Sequence, residues 1–125
     1  MFIELTQPPR EVGQPVQTIT ALSDHIMFAF KQPLQPVFQV AVGTAILPCI
    51  GDYESLLVKL KKAWLSILDT PEGTQAAVNK DHILFFVSPG LGTYSLMFNG
   101  QIGMSVKATQ TDITGLFEKK SDWAI

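Results

Sequence analysis

Two short motifs in this chain combine residue types that could do chemistry. Asp24-His25 and Asp81-His82 each place a carboxylate beside an imidazole at the start of a predicted strand. Such a pair can move protons or bind a metal ion, and neighbouring strands would bring both pairs into one site. The simpler interpretation is that each polar pair closes a loop where a strand begins. No His-x-x-x-His or Cys-x-x-Cys spacing occurs in the sequence, so we predict no catalytic residue, no metal and no cofactor.

Three further features could suggest a reaction, and each favours a structural role. Ser23 and His25 would share one face of an extended chain while Asp24 would not, which argues against a hydrolytic triad. The Gly-x-Gly core of 88–92 precedes a strand rather than a helix, so it indicates a turn and not a phosphate loop. Cys49 is the only cysteine and lies in an apolar stretch, which predicts a buried, unreactive thiol.

One long amphipathic helix, over about 52–70, is the strongest predicted element. Asp52 suits its N-cap, and Pro71 and Gly73 would close it. Trp64 is predicted to be buried between this helix and a sheet. The apolar stripe at a period of 3.6 consists of Tyr53, Leu56, Leu57, Leu60, Ala63, Trp64, Ile67 and Leu68.

Strand-like runs flank this helix on both sides. The segments 16–22 and 25–31 are rich in β-branched or aromatic residues and are expected to form a hairpin. The segment 37–47 is apolar on both faces and is expected to be the longest strand. The segment 71–81 is expected to be a polar connection, and 83–87 is expected to be a continuous apolar strand.

The sharpest hairpin signal is Asn99-Gly100, which fits a two-residue turn. That turn would place Met97 opposite Ile102 and leave Met97 and Met104 on one face. A short helix is predicted over 111–119.

These elements predict an α+β fold: an antiparallel sheet of about five to six strands with helix 52–70 packed across it, and a short C-terminal helix. The chain is expected to form one domain over residues 1–125, with a lead-in segment at 1–15 and an apolar tail at 121–125. The element order is similar to that of profilin-like, longin-like and roadblock-like small domains, a resemblance of topology without a shared motif.

The composition predicts a protein that meets a partner. Charged residues make up 16% of the 125 residues and apolar residues 46%, whereas about 25% charged is typical of soluble domains. The mean hydropathy is +0.23. Apolar surface that so few charges leave uncovered is expected to be buried by self-association or in a heteromeric complex. The candidate contact residues are Val58, Leu65, Met97, Met104, Trp123 and Ile125.

Charge and hydropathy argue against two other kinds of partner. The net charge is −2 and the lysines are mostly scattered, so nucleic acid is not expected to be the main ligand. The longest apolar run, 37–50, is too short to cross a bilayer. A single cysteine and no evident signal peptide favour a cytoplasmic, intracellular protein.

The leading hypothesis is therefore a non-enzymatic protein–protein interaction domain: a small adaptor, an assembly factor or a subunit of a complex. One alternative is a small-molecule-binding protein or small enzyme, with a pocket between sheet and helix that uses His25 or His82. Another is a viral or phage structural protein.

Overall fold

The computed structural model describes residues 1–9, 11–90, 92–98 and 102–118. In this part of the chain, ten strands, two helices and two 3-10 turns follow one another. They are β1 Phe2–Gln7, β2 Gln17–Leu22, the turn Ser23–His25, β3 Ile26–Phe30, β4 Phe38–Val42, β5 Ala45–Cys49, α1 Tyr53–Lys62, β6 Ser66–Asp69, β7 Gln75–Val78, the turn Lys80–His82, β8 Phe85–Gly90, β9 Thr93–Met97, β10 Gly103–Lys107 and α2 Gln110–Glu118.

The strands form two antiparallel sheets, one of which is large and curled. Its eight strands run in the order β5-β4-β3-β7-β6-β10-β9-β8, and β1 pairs with β2 in a separate two-stranded sheet. Within the described part of the chain, one isolated bridge, between Thr6 and Ile50, connects the two sheets beside β5. The predicted fold class is therefore wrong, because ten strands replace five or six and two short helices replace one long helix. The resemblance to profilin-like, longin-like and roadblock-like topology, which depended on that prediction, is withdrawn with it.

The predicted helix over 52–70 begins as expected but ends at Lys62. Asp52 is its N-cap and accepts a hydrogen bond from the Ser55 N–H at 3.3 Å. At the other end Trp64 takes a left-handed conformation with φ of 72° and is 89% exposed, so its predicted burial is wrong. Short apolar runs fit a strand as well as a helix, and pairing with β7 draws 66–69 into the sheet as β6.

We expect Trp64→Gly to leave the protein as stable as the natural chain or more stable by about 1 kcal/mol. A left-handed conformation costs roughly 1–2 kcal/mol for a residue with a Cβ atom, and glycine avoids that cost. Trp64→Ala is the matched control, because it removes the ring but keeps the Cβ. Urea unfolding measures both variants. A loss above about 1 kcal/mol in Trp64→Gly would show that the indole contributes packing in spite of its exposure.

Three strand predictions are also corrected. The segments 16–22 and 25–31 do not form a hairpin, because β2 pairs with β1 and β3 pairs with β4 and β7. The long strand expected over 37–47 is two strands, and Gly43 with φ of 61° lies in the turn between them. The segment 71–81 contains β7, whose small side chains fit a crowded interior position: Ala76, Ala77 and Val78 are fully buried.

Two apolar cores form, one on each side of β3. The first surrounds α1, and Tyr53 ties that helix to the sheet with its hydroxyl 3.1 Å from the Ala29 carbonyl oxygen and 2.7 Å from that of Gln75. The second includes α2 through Ile113 and contains Phe28 of β3. Since adjacent residues of a strand point to opposite faces, β3 contributes to both cores.

The order of elements occurs twice along the chain. Two strands, a 3-10 turn, three strands and a helix make up the first half, which runs from β1 to α1. The same series runs from β6 to α2 in the second half. The two halves meet where β3 pairs with β7.

Candidate functional site

The two Asp-His pairs lie in the two 3-10 turns, between strands. Asp24-His25 belongs to the turn that precedes β3, and Asp81-His82 to the turn that leads to β8. The structure brings these turns together, because the His82 Nε2 lies 2.5 Å from the Asp24 carbonyl oxygen. The contact joins the first half of the chain to the second.

The surroundings of the histidines offer little for catalysis. The described contact of His82 is a hydrogen bond to a main-chain carbonyl, in which the ring N–H donates. Ser23 is 2% exposed, whereas Asp24 and His25 are exposed. Within the described ranges, no three His, Cys, Asp or Glu side chains are grouped closely enough to hold a metal ion. The two turns therefore lie where the first half of the chain meets the second.

The terminal strand β8 presents an apolar surface. Among the strands of the described ranges, it is the last one in the large sheet, where it pairs with β9. Four successive large apolar residues, Leu84 just before the strand and the three at 85–87 within it, are each at least 39% exposed. Leu84 reaches 61% and Phe85 52%. No charged residue occurs in 83–90. Natural sheet edges are usually protected by charge, proline or covering elements, so four exposed apolar residues in succession at an edge require a reason.

The predicted contact residues on the central helix do not share a surface. Val58 is 55% exposed on α1, whereas Leu65 is 5% exposed and packs in the first core. Trp123 and Ile125, with the rest of the tail at 121–125, lie outside the described residues.

Met97 and Met104 are also separated. The register pairs Met97 with Gly103 and Met104 with Leu96, one residue away from the pairing predicted from Asn99-Gly100. Paired residues share a face and neighbours alternate, so Met97 and Met104 lie on opposite faces of the sheet. Met104 packs against the second core. The turn residues 99–101 lie outside the described part of the chain.

Cys49 is fully buried, as predicted, and burial raises the pKa of its thiol to about 11. A thiol with a raised pKa holds little of the reactive thiolate at neutral pH. Asp52 is the opposite case, since hydrogen bonds from Ser55 lower the pKa of its carboxyl group. Neither group points to a reaction.

Two open clefts of about 510 Å³ each lie beside β6 and β10 and share Asp69 and Lys107. One of them extends along α2 to Leu116. His25 and His82 line neither cleft. The alternative of a pocket that uses these histidines therefore gains no support from the two clefts.

Sequence reasoning identified 83–87 as a strand but not as an edge. A continuous apolar run is typical of a strand that is covered on both faces, and the sequence alone does not show which strands lie beside it. One signal was present: Asp-His-Ile occurs at 24–26 and again at 81–83, ahead of β3 and β8. The repetition marks two equivalent strands, of which one is central and the other terminal.

Comparisons of the chain with known protein families, with curated proteins and with solved structures found no match. Among the described residues, no helix has the length and apolar character needed to cross a membrane.

Proposed function

We propose that this chain is a non-enzymatic protein-interaction domain that docks a partner strand along the outer edge of β8. The observation that carries the proposal is the exposed apolar run at 84–87 on the last strand of the large sheet. An adaptor, an assembly factor and a subunit of a complex would each use such an edge.

The physical support comes from strand addition. A partner strand laid along a sheet edge gains main-chain hydrogen bonds, and the alternating side chains of the edge supply specificity. Complete burial of a Leu, Val or Phe side chain contributes roughly 1.5–3 kcal/mol. Leu84, Phe85 and Val87 are half-exposed or more, so a docked strand would remove a large part of their apolar surface from water.

The apolar run at 84–87 lacks the charges and prolines that usually discourage pairing at a sheet edge. Lysine and inward-pointing charges are common at natural sheet edges, and 83–90 contains neither acidic nor basic residues. Pro89 lies near the end of the strand and leaves 84–87 without a proline. Docking is therefore centred on 84–87.

Hydrogen exchange tests this function. Amide exchange is measured on the protein alone at about 1 µM and about 100 µM, a concentration range that covers moderately weak self-association. It is also measured on the protein in complex with any partner that copurifies with it from its native source. Complex formation should slow amide exchange in 84–90. A complex that leaves exchange in 84–90 unchanged would contradict the proposal. So would a monodisperse monomer at about 100 µM that recovers no partner.

A further inference from the structure

The repeated order of elements extends to strand register, so the two halves are copies of one structural unit. A shift of 57 residue numbers relates Asp24-His25-Ile26 to Asp81-His82-Ile83, and it also relates the starts of α1 and α2. The pairs between β3 and β4 have counterparts between β8 and β9, with a shift of 57 from β3 to β8 and of 56 from β4 to β9. Phe28–Ala41, Ala29–Val40 and Phe30–Gln39 correspond to Phe85–Met97, Phe86–Leu96 and Val87–Ser95.

The helix caps and the inner bridges repeat as well. Asp52 caps α1 through Ser55, and Thr109 caps α2 by accepting from the Asp112 N–H at 3.1 Å. Ile50, just after β5, bridges to β1, and its counterpart Lys107 in β10 pairs with β6. Each half is therefore a five-stranded unit with two outer edges: β2 and β3 in the first half, β7 and β8 in the second.

The join between the halves shows how these edges fit together. The β3 edge of the first unit pairs antiparallel with the β7 edge of the second, with Phe28 opposite Val78 and Ala29 opposite Ala77. The Asn79 N–H donates to the Met27 carbonyl oxygen at 2.8 Å. All the side chains at this join are buried.

The counterparts of these two edges are not paired with each other within the chain. β8 is the counterpart of β3, and β2 is the counterpart of β7. They belong to different sheets of one chain and lie at the ends of those sheets. Neither β2 nor 83–90 contains a charged residue. The β8 edge is therefore expected to fit the β2 edge in the way that the β3 edge fits the β7 edge inside the chain.

Resting on the proposed function, we infer that the partner of β8 is β2 of a second copy of this chain, paired antiparallel. The register follows from the internal join: Phe85 lies opposite Ala21, Leu84 opposite Leu22, and the Leu22 N–H donates to the Leu84 carbonyl. Leu84 and Phe85 then gain the burial that Met27 and Phe28 have at the centre of the sheet.

The backbone of β2 is oriented for this bond. Ser23 N–H donates to the Met1 carbonyl oxygen at 2.9 Å, which directs the main-chain groups of residue 23 toward β1. Main-chain groups alternate in direction along a strand of an antiparallel ladder. The N–H groups of Leu22 and Thr20 therefore point to the outer edge, as the Asn79 N–H does at the internal join.

Pairing of two different edges is head-to-tail, so a pair of bound copies leaves the β2 edge of one copy and the β8 edge of the other exposed. Such an assembly grows until it closes into a ring or continues as a filament. A twofold dimer through β8 alone would instead use the same edge on both copies and would stop at two. A substitution on β2 would weaken the head-to-tail assembly but would leave the twofold dimer through β8 unchanged.

Complementation of two edge variants tests the inference. Phe85→Lys places a charge on the β8 edge, and Thr20→Lys places one on the β2 edge, where the natural threonine is exposed. Each variant alone should lose self-association by at least about a hundredfold in Kd, because burial of an unpaired charge opposes pairing. An equimolar mixture should form a heterodimer, since one intact β8 and one intact β2 remain. Sedimentation velocity measures all three samples.

Leu34→Lys is the matched control, because Leu34 is a fully exposed apolar residue that lies between β3 and β4 rather than on β2 or β8. This variant should assemble like the natural chain. Circular dichroism establishes that each variant is folded, and Val87→Lys replaces Phe85→Lys if that variant is not. Self-association of Thr20→Lys at natural strength, or a folded mixture that stays monomeric, would overturn the inference. A natural chain that stays monomeric at about 100 µM would do so as well. After any of these three outcomes, slowed amide exchange at 84–90 in a complex with a different protein would still support the proposed function.

Discussion

Phe28→Ala is expected to lower the free energy of unfolding by about 3–5 kcal/mol, the usual range for removal of a buried phenylalanine ring. Phe28 is 1% exposed, and its ring centroid lies 5.0 Å from that of Phe98 and 6.3 Å from that of Phe30. It belongs to a strand of the first half yet packs in the core that contains α2. Its loss therefore weakens the join between the two halves as well as the second core.

Phe85→Ala is the matched control, because Phe85 is the counterpart of Phe28 in the second half and is 52% exposed. At a protein concentration low enough to keep the chain monomeric, it should cost less than half as much as Phe28→Ala. Urea unfolding at equal, low protein concentration measures both. Equal losses in the two variants would show that the β8 surface is already buried within one chain.

The second large effect is expected at Leu60, which is fully buried on α1 in the first core. Leu60→Ala should cost about 2–5 kcal/mol, because it removes apolar contacts and leaves a cavity. Val58→Ala on the same helix should change stability by less than about 0.5–1 kcal/mol, since Val58 is 55% exposed. Urea unfolding compares the two. A cost for Val58→Ala as large as that for Leu60→Ala would mean that α1 packs through a different face.

Local chemistry made part of this fold predictable. The capping carboxylate of Asp52 sets the start of α1 whatever lies beyond it. The apolar residues around Cys49 were enough to predict its burial. In both cases the cause lies within a few residues of the effect, which is why the sequence alone reveals it.

The rest depends on contacts between distant segments. The helix ends at Lys62 because 66–69 pairs with 75–78, a contact that the period of the apolar residues does not encode. Ala76 and Ala77 look like loop residues until their position beside β3 requires small side chains. Both β3 and the run at 84–87 are apolar stretches that begin at or after Asp-His-Ile, and their apolar character does not show which one lies at an edge. Their different positions arise because β3 meets β7 within the chain while β8 ends the sheet.

The candidate site follows the same division. The Asp-His pairs were visible in the sequence, and the structure places them in turns that meet at the join between the halves. The apolar edge was not visible as an edge, because its significance comes from the order of strands. Val58 remains exposed and Leu65 does not, a difference that arises from the end of the helix between them.

Cysteine cross-linking tests the β8–β2 pairing most directly. Leu22→Cys and Leu84→Cys are made as separate proteins in a Cys49→Ala background. Directly opposed residues of antiparallel strands have Cα atoms about 4.5–5.5 Å apart, a range that a disulfide spans. Mild oxidation of the mixture should give a covalent heterodimer, while Thr18→Cys mixed with Leu84→Cys should give little product because the register is shifted. Cross-linking of Leu84→Cys to itself, or a mixture that yields no heterodimer, would contradict the account.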